Sequence, residues 1–403
     1  MKIFYNKQTI LLAIGIFIFA GYQFQIYWGL NSVRESVLYI EGGGAQRLFI
    51  KLLGITILYI ALIRHFSIQS FFNNFTIKIP LLYYILTVIV LIPLFLSKDY
   101  TYAAEHILAV NLILFTPILF LNLNGEIGDR LFSKLIKITV FIICIQLSAD
   151  LIIKLYGFSL VSTILGGMGN ANTFGLHLII AALGLRFIHR QHLLSNFILI
   201  MSWGTGSLIC ALLAFFFLTQ SLIIGFYKRS LSTYLLIGIV AIALIMYGNT
   251  LFSIFFEGYG PVQHVFTKIN ELLLGEADNV LARISFMKDA LALIETSPMS
   301  IIFGHPNMIP FWTTDGFFLA LFVTLGLPAL LLFIFSHIYL IYQGSKEKTP
   351  LYQFATYTLI VYLAFFCTNR ILDYWPAGFL YLLVFTYLSR KIKYTKNNYY
   401  NEK

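Results

Sequence analysis

Apolar runs about as long as a membrane span recur along almost the whole chain, and this pattern restricts its fold more than any other feature. Of its 403 residues, 59% are hydrophobic and only 11% are charged, whereas an ordinary soluble domain is about 25% charged. A helix needs about 20 apolar residues to cross a bilayer, so this length allows about twelve spans with their loops. The sequence therefore predicts an all-α, polytopic integral membrane protein whose residues 1–403 form one membrane domain.

The predicted spans follow the apolar runs in order. They are Thr9–Gly29, Leu48–Ile63, Ile79–Leu96, Ala103–Asn122, Ile136–Leu155, Thr173–Ile188, Asn196–Gly204, Ser207–Phe226, Thr233–Tyr247, Gly316–Tyr339, Leu351–Thr368 and Pro376–Leu388. The seventh run is short, and it could instead join the eighth as one kinked segment. Joining them would leave eleven spans and would reverse the orientation of every later one.

The basic residues decide between eleven and twelve spans. With a cytoplasmic N-terminus and twelve spans, the clusters Lys228–Arg229, Lys346–Lys348 and Arg390–Lys396 all fall on the same side as the N-terminus. Short loops rich in Lys and Arg remain in the cytoplasm. The pattern therefore predicts that both termini are inside, with residues 390–403 forming a polar cytoplasmic tail that has no fixed structure.

One long polar segment, residues 250–315, separates the ninth span from the tenth, and the predicted orientation places it outside. Asp278 or Asn279 can cap a helix there, which would end near Ser297-Pro298 because proline stops it. Its apolar residues recur at helical spacing, namely Val280, Ile284, Met287, Leu291 and Ile294. We expect an amphipathic helix on the membrane surface; the alternative is a surface helix that covers the ends of the spans.

The composition disfavours several classes of function. The net charge of +10 comes mostly from Lys and Arg in short loops and tails, without the basic stripe of a nucleic-acid-binding protein. Cys144, Cys210 and Cys367 lie in apolar runs, and their spacing suggests neither disulfides nor a metal site. No glycine-rich loop of the nucleotide-binding types occurs. We therefore expect no nucleic acid partner, no metal and no cofactor.

Four features of the second half of the chain occur in a characteristic order. They are Arg283 on the predicted loop helix, the turn Gly304-His305, the sequence Thr314-Asp315-Gly-Phe-Phe-Leu at the start of the tenth span, and Leu325-Gly326-Leu-Pro within it. Their order and context resemble those of the O-antigen polymerase and O-antigen ligase superfamily. Ligases of that superfamily usually carry a His at the position of Asp315, so the Asp favours the polymerase.

Two earlier turns strengthen the resemblance. The segment Gly166–Asn172, which leads into the sixth span, is similar to the family's Gly-Asn-Pro-Asn segment, and Trp203–Ser207 falls where the family often has a Thr-x-Ser-Arg turn. The chain departs from the family at two points, since Ala171 replaces the usual Pro and Leu208 replaces the usual Arg. The resemblance covers the spacing of residues 160–340.

The resemblance implies a GT-C-like glycosyltransferase in the inner membrane of a bacterium, with its active site facing the periplasm. Its donor and its acceptor would both be undecaprenyl-diphosphate-linked oligosaccharides, and it would join them into O-antigen or a related surface polysaccharide. The resemblance also implies contact with membrane lipids, and a flippase and a chain-length regulator of the same pathway as partners. Neither a metal nor a nucleotide would take part.

Three arginines are the candidates for contact with the diphosphate. A guanidinium group binds phosphate oxygens in pairs and stays charged at any working pH. Arg283 is the first choice, and its alternative role is that of a solvated arginine on a surface helix. Arg370 could instead pair with Asp373, and Arg47 could anchor its span at the membrane interface.

Two residues compete for the role of general base, and two asparagines are candidates for sugar binding. Asp315 begins a span near the outer surface, where it could accept a proton or orient the base; it could also be a helix N-cap. His305 is the rival base, or an ordinary turn histidine. Asn170 and Asn172 could hydrogen-bond sugar hydroxyls, or they could serve the turn and the helix cap.

Polar residues also occur inside the predicted spans. Asp150 and Lys154 are four residues apart on one helix, and we expect them to neutralise each other. His177 lies within the sixth span, where a polar side chain most often bonds across helices.

Three other functions fit parts of the pattern. A ligase of the same superfamily would transfer the finished glycan to lipid A–core. A flippase or transporter would have intramembrane charge along a central path and internal pseudo-symmetry, and neither is clear in this sequence. A peptidoglycan glycosyltransferase of the shape, elongation and division type also has many spans and a large outer loop, but its late Pro-rich and Ser/Gly-rich motifs are not visible here.

Overall fold

A computed structural model shows how the helices pack. It describes residues 7–20, 44–62, 125–155, 164–166, 171–227, 298–304, 316–369 and 375–401, together with short pieces between residues 270 and 292. Every regular element in this part of the chain is helical and none is a strand. The helices are α1 Lys7–Ala20, α2 Gly44–Leu62, α3 Gly125–Leu155, α4 Ala171–Phe187, α5 His192–Ser202, α6 Leu208–Tyr227, α7 Pro298–Phe303, α8 Phe317–Ser345, α9 Pro350–Phe366 and α10 Trp375–Asn401.

Most of the predicted spans coincide with described helices, although several boundaries move. α10 continues to Asn401, so the prediction that residues 390–403 lack a fixed structure is wrong as far as that residue. No glycine or proline follows Gly378, and nothing in the polar tail therefore interrupts the helix. Three predicted spans lie outside the described residues, namely Ile79–Leu96, Ala103–Asn122 and Thr233–Tyr247.

Two described helices are long and apolar enough to cross a membrane. They contain the stretches Ile127–Ile152 and Gly326–Ser345. At 1.5 Å per residue these stretches reach about 39 and 30 Å, and the hydrocarbon core of a bilayer is about 30 Å thick. Other helices expose large apolar side chains as well, among them Leu212, Phe215 and Phe216 of α6. The all-helical class is confirmed, and these surfaces fit a membrane location.

The chain divides into two compact units. The first unit contains Met1–Phe19, Leu48–Ile138 and Asp278–Lys403, and the second contains Ala20–Arg47 and Thr139–Ala277. Each unit has its own packed group of described helices.

In the first unit, α8, α9 and α10 pack against one another around aromatic rings. The ring of Phe366 in α9 is centred 5.6 Å from that of Phe333 in α8 and 5.5 Å from that of Tyr381 in α10. Phe132 of α3 stacks on Tyr387 of α10 at 4.0 Å. Each such pair contributes about 0.5–1.5 kcal/mol beyond the burial of its apolar area, so the rings hold these helices in a fixed register.

α1 and α2 pack together in the same unit. The side-chain amide of Gln8 donates to the carbonyl oxygen of Ala61 at 3.0 Å. Gly15 lies so close to Leu58 that a Cβ atom at residue 15 would be only 2.8 Å from the Leu58 side chain. A hydrogen bond at one position and a small residue at another therefore determine how α1 packs on α2.

α8 is not one straight helix. Gly326 has φ +83° and ψ 174°, which lie outside the helical range. The ring of Phe317 is centred 5.3 Å from that of Phe333, although their separation in sequence would place them about 24 Å apart along a straight helix. α8 therefore folds back at Gly326 into a first arm, residues 317–325, and a second arm, residues 327–345.

This bend changes the predicted tenth span, Gly316–Tyr339. The first arm is only about 14 Å long and cannot cross a bilayer alone, whereas the stretch Gly326–Ser345 can. The bend has a local cause, because glycine tolerates a positive φ and Pro328 removes a backbone donor from the next turn. The hydropathy of the sequence does not predict this bend, because both arms are apolar.

α7 packs on the break in α8. A Cβ atom at Gly326 would collide with the carbonyl oxygen of Ile302, so only glycine allows this approach. α7 ends at Gly304, whose φ is +75° and whose N–H donates to the carbonyl oxygen of Ser300 at 2.9 Å. The part of the long polar segment that forms α7 is thus anchored to the break in α8.

In the second unit, α4, α5 and α6 pack together. A Cβ atom at Gly175 of α4 would collide with the Sγ atom of Cys210 in α6 and would lie 3.1 Å from Oγ1 of Thr205. Small residues at such contacts let helix backbones approach closely. Ser195 of α5 donates to the carbonyl oxygen of Ala182 in α4 at 2.7 Å.

α5 and α6 form a hairpin. The guanidinium of Arg186 donates to Oδ1 of Asn196 at 3.0 Å and to the carbonyl oxygen of Phe217 at 3.2 Å. In one continuous or gently kinked helix, Asn196 and Phe217 would lie about 30 Å apart, and one guanidinium could not reach both. A 3-10 turn, Trp203–Thr205, followed by Gly206 with φ +66°, separates the two helices. The seventh and eighth apolar runs are therefore separate helices.

Candidate functional site

The structure describes only part of the predicted site. Arg47 lies in the first turn of α2, which begins at Gly44 rather than at the predicted Leu48. Asn172 is the second residue of α4. The other five candidates lie outside the described residues, and their roles stay predictions: Arg283, His305, Asp315, Asn170 and Arg370.

The residue after Asp315 meets a residue three positions before Arg370 in the first unit. Gly316, which follows Asp315, immediately precedes α8, and Cys367 follows the last residue of α9. A Cβ atom at Gly316 would lie 3.1 Å from the carbonyl oxygen of Cys367, so the two backbones are in close contact. The start of α8 and the end of α9, which lead to these two candidates, are thus side by side.

The connection between α7 and α8 is fixed at both of its ends. α7 packs on the break at Gly326, and the residue before α8 lies against Cys367. In sequence, His305 begins this connection and Asp315 ends it. The two rival bases therefore belong to one short connection within the first unit.

Part of the predicted loop helix is also described. Residues 284–285, 287–289 and 291–292 are helical. Three side chains of its apolar stripe are 38–45% exposed, namely Ile284, Met287 and Leu291. The protein therefore covers these three side chains only in part, and the choice between a helix on the membrane surface and one that covers the ends of the spans stays a prediction.

A polar pair, His337 and Tyr381, is buried in the aromatic core of the first unit. Nδ1 of His337 lies 2.7 Å from the carbonyl oxygen of Phe333, and Nε2 lies 2.7 Å from the hydroxyl of Tyr381. A carbonyl can only accept, so Nδ1 carries the hydrogen in the neutral ring and Nε2 accepts from Tyr381. Nδ1 thus bonds within α8, and Nε2 joins α8 to α10. Sequence analysis missed this pair, because a lone histidine in an apolar run has no recognisable pattern.

In the second unit, the residues just before Gly166–Asn172 bond directly to the turn Trp203–Ser207. The N–H of Ile164 donates to the carbonyl oxygen of Gly204 at 2.7 Å. The turn around Gly204 has its own bonds, since Thr205 Oγ1 donates to the carbonyl oxygen of Ser202 at 2.7 Å. The segment that leads into Gly166–Asn172 is therefore tied to the turn before α6.

The same segment is also tied to α3 and α4. The N–H of Leu165 donates to Oδ2 of Asp150 in α3 at 3.3 Å. Gly166 has φ +56°, and the ring of Phe174 in α4 fills the space that a side chain at residue 166 would need. The side chain of Lys154, the predicted partner of Asp150, lies outside the described residues. Asp150 thus has a backbone partner that its sequence position did not reveal.

The first turns of α4 carry two more of the predicted residues. Asn172 is half-buried, which fits both a sugar contact and a role at the helix end. His177 is buried, and its Nδ1 lies 2.7 Å from the carbonyl oxygen of Thr173 in the same helix. Through this nitrogen His177 bonds within α4.

The described part of the chain contains no group of three or more His, Cys, Asp or Glu residues that could hold a metal ion. Its three cysteines are free thiols. Cys210 is buried against Gly175, whereas Cys367 is exposed at the end of α9. Cys367 is therefore the thiol best placed for chemical labelling.

Sequence comparison finds no relative for this chain. No protein-family model matches it, and no curated protein matches it. Any functional conclusion therefore rests on the residues themselves and on their geometry.

Proposed function

We propose that this chain is a membrane-embedded glycosyltransferase that joins lipid-linked oligosaccharides, with its reactive centre beside the start of α8 and the end of α9. The contact of Gly316 with the carbonyl oxygen of Cys367 carries this proposal. It brings the residue after Asp315 next to the helix end that leads to Arg370. A carboxylate and a guanidinium could therefore act on one substrate, as transfer from a diphosphate requires.

The candidates of the first unit have defined parts in the proposed reaction, and Arg47 stays a candidate for contact with the diphosphate. The acceptor hydroxyl attacks the anomeric carbon of the donor glycan, and the new C–O bond forms as the bond to the diphosphate oxygen breaks. Asp315, or His305 in its place, takes the hydroxyl proton. Arg283 and Arg370 stabilise the charge on the departing undecaprenyl diphosphate, an effect commonly worth about 3–4 kcal/mol per group in a dry site. In the second unit, taken by itself, Asn170 and Asn172 are the candidates for hydrogen bonds to sugar hydroxyls.

The proposed protein has twelve spans in a bacterial inner membrane, both termini in the cytoplasm and its site in the periplasm. The hairpin of α5 and α6 supports counting the seventh and eighth runs separately. The stretch Gly326–Ser345 matches the thickness of the hydrocarbon core and is followed by Lys346, which fits a cytoplasmic end. The ligase is the second candidate function, because the same residues would serve it with lipid A–core as acceptor.

The test uses a strain that lacks this gene. It is complemented with the wild type, Arg283→Ala, Asp315→Ala or Arg370→Ala at matched membrane expression, and its surface polysaccharide is separated on a gel. A polymerase predicts that deletion leaves a single repeat unit on the core and that Arg283→Ala does the same. Matched controls are Lys288→Ala and Asp289→Ala, since both side chains are exposed on the loop helix; both should retain long polymer.

Other results would point to other functions. Bare core with accumulated long lipid-linked polymer would identify a ligase. Lipid-linked repeat units that stay on the cytoplasmic side would identify a flippase. Normal polymer in the deletion strain would show that this protein does not act in the pathway.

A further inference from the structure

The ionisable side chain of Asp150 is buried in an apolar helix, where its burial costs free energy. It lies within the apolar stretch Ile127–Ile152 of α3, and its side chain is 0% exposed. An ionisable group inside an apolar span is costly and marks a functional position unless packing explains it. Its Oδ2 atom accepts the N–H of Leu165, and this contact suggests what the residue does.

A series of contacts leads from Asp150 to Asn172. Leu165 precedes Gly166, and the ring of Phe174 packs on the bare Cα of Gly166. Phe174 lies two residues after Asn172 in the first turns of α4. A shift of the Leu165 backbone would therefore displace Phe174 and change the position of Asn172.

We propose that Asp150 is a positioning residue for glycan recognition, which acts by holding the backbone of Leu165 and, through Gly166 and Phe174, the start of α4 with Asn172. The inference rests on the proposed function in one respect, namely that Asn172 contacts the glycan. Asp150 itself does not touch the substrate. This role requires an acceptor oxygen at residue 150. It does not require a negative charge there.

The chain offers a matched control. Gln146 lies one turn before Asp150 on the same face of α3 and is also 0% exposed. Within the described chain, neither atom of its amide group makes a hydrogen bond. Gln146→Leu therefore removes a buried polar group of α3 without removing support from Leu165.

Hydrogen exchange tests the positioning directly and needs no substrate. Peptides that cover residues 163–174 are followed by mass spectrometry in the full-length protein in nanodiscs. We expect Asp150→Leu to speed exchange at Leu165 by about tenfold, the change that loss of one buried hydrogen bond produces. Asp150→Asn, which keeps an acceptor oxygen, and Gln146→Leu should exchange like the wild type.

Kinetics test the consequence for the glycan. With lipid-linked repeat units as substrate, Asp150→Leu should raise the apparent KM by about tenfold and change kcat by less than about threefold. Asp150→Asn should restore the wild-type KM. A purely structural defect would lower the active fraction, and hence kcat, without this selective effect on KM.

Three results would overturn the inference. One is unchanged exchange at Leu165 in Asp150→Leu. Another is a loss of activity in Asp150→Asn with exchange intact, because the charge would then act on the substrate. The last is that Gln146→Leu speeds exchange at Leu165 as much as Asp150→Leu does. If the wild type makes no polymer at all, the proposed function fails, and the exchange measurement still decides whether Asp150 positions Leu165.

Discussion

The ring of Phe317 lies 5.3 Å from that of Phe333, although both belong to α8. The ring of Phe366 in α9 lies 4.8 Å from Phe317 and 5.6 Å from Phe333. The start of α8, its second arm and the end of α9 therefore meet at these three rings. Phe333 lies about 10 Å along the second arm from the break. Gly316 and Cys367 thus lie about a third of the way along the stretch that is able to cross a bilayer.

The fold-back of α8 should depend on Gly326. Alanine there would have to adopt a positive φ and would collide with the carbonyl oxygen of Ile302. Gly326→Ala should therefore destabilise the protein by about 3 kcal/mol or more, which would lower its Tm in nanodiscs by about 6 °C or more. Leu327→Ala is the control, because residue 327 adjoins the break and its side chain is 40% exposed. Equal, small losses of stability in the two variants would contradict the fold-back of α8 at Gly326.

A short cross-link can test the contact that carries the proposed function. With Cys144 and Cys210 changed to alanine, a short, reducible bis-methanethiosulfonate cross-linker should join Gly316→Cys to Cys367, because the two backbones are in contact. The readout is loss of maleimide labelling that returns after reduction. Leu327→Cys, placed just after the break in α8, should leave Cys367 free to react. If Gly316→Cys also stays fully labelled, the ends of α8 and α9 do not meet.

The sequence predicted the helical class and the position of most described helices, because hydrophobic periodicity and the length of apolar runs are local properties. It did not predict the bend in α8, since the single residue Gly326 lies in a run that is apolar on both sides. It also did not predict that Asp150 would bind the Leu165 backbone, because that contact depends on packing between α3 and a loop. The proximity of the Gly166 and Gly204 turns is likewise a tertiary feature, although their separate resemblance to family motifs was visible.

The hairpin of α5 and α6 should depend on Arg186. Its guanidinium bonds both helices, and a hydrogen bond from a charged donor contributes about 1.5–3 kcal/mol. Arg186→Leu should therefore cost about 3 kcal/mol or more, measured by thermal unfolding in nanodiscs. Arg130 is exposed on α3, and Arg130→Leu should change stability by less than about 0.5 kcal/mol. A stable Arg186→Leu variant would mean that other contacts hold the hairpin.

The close approach of α4 and α6 at Gly175 should produce a measurable coupling between Gly175 and Cys210. Gly175→Ala overpacks this contact and should cost about 1–3 kcal/mol, whereas Cys210→Ala removes the sulfur atom that the new methyl group would meet. The double variant should therefore be more stable than the sum of the two single effects by about 1 kcal/mol or more, measured as a double-mutant cycle. If the stability effects of the two single variants simply add, α4 and α6 move apart to make room for the new methyl group. In that case Gly175→Ala should also weaken the bond from Ile164 to Gly204, because Thr205 of the same turn faces Gly175, and faster exchange at Ile164 would reveal it.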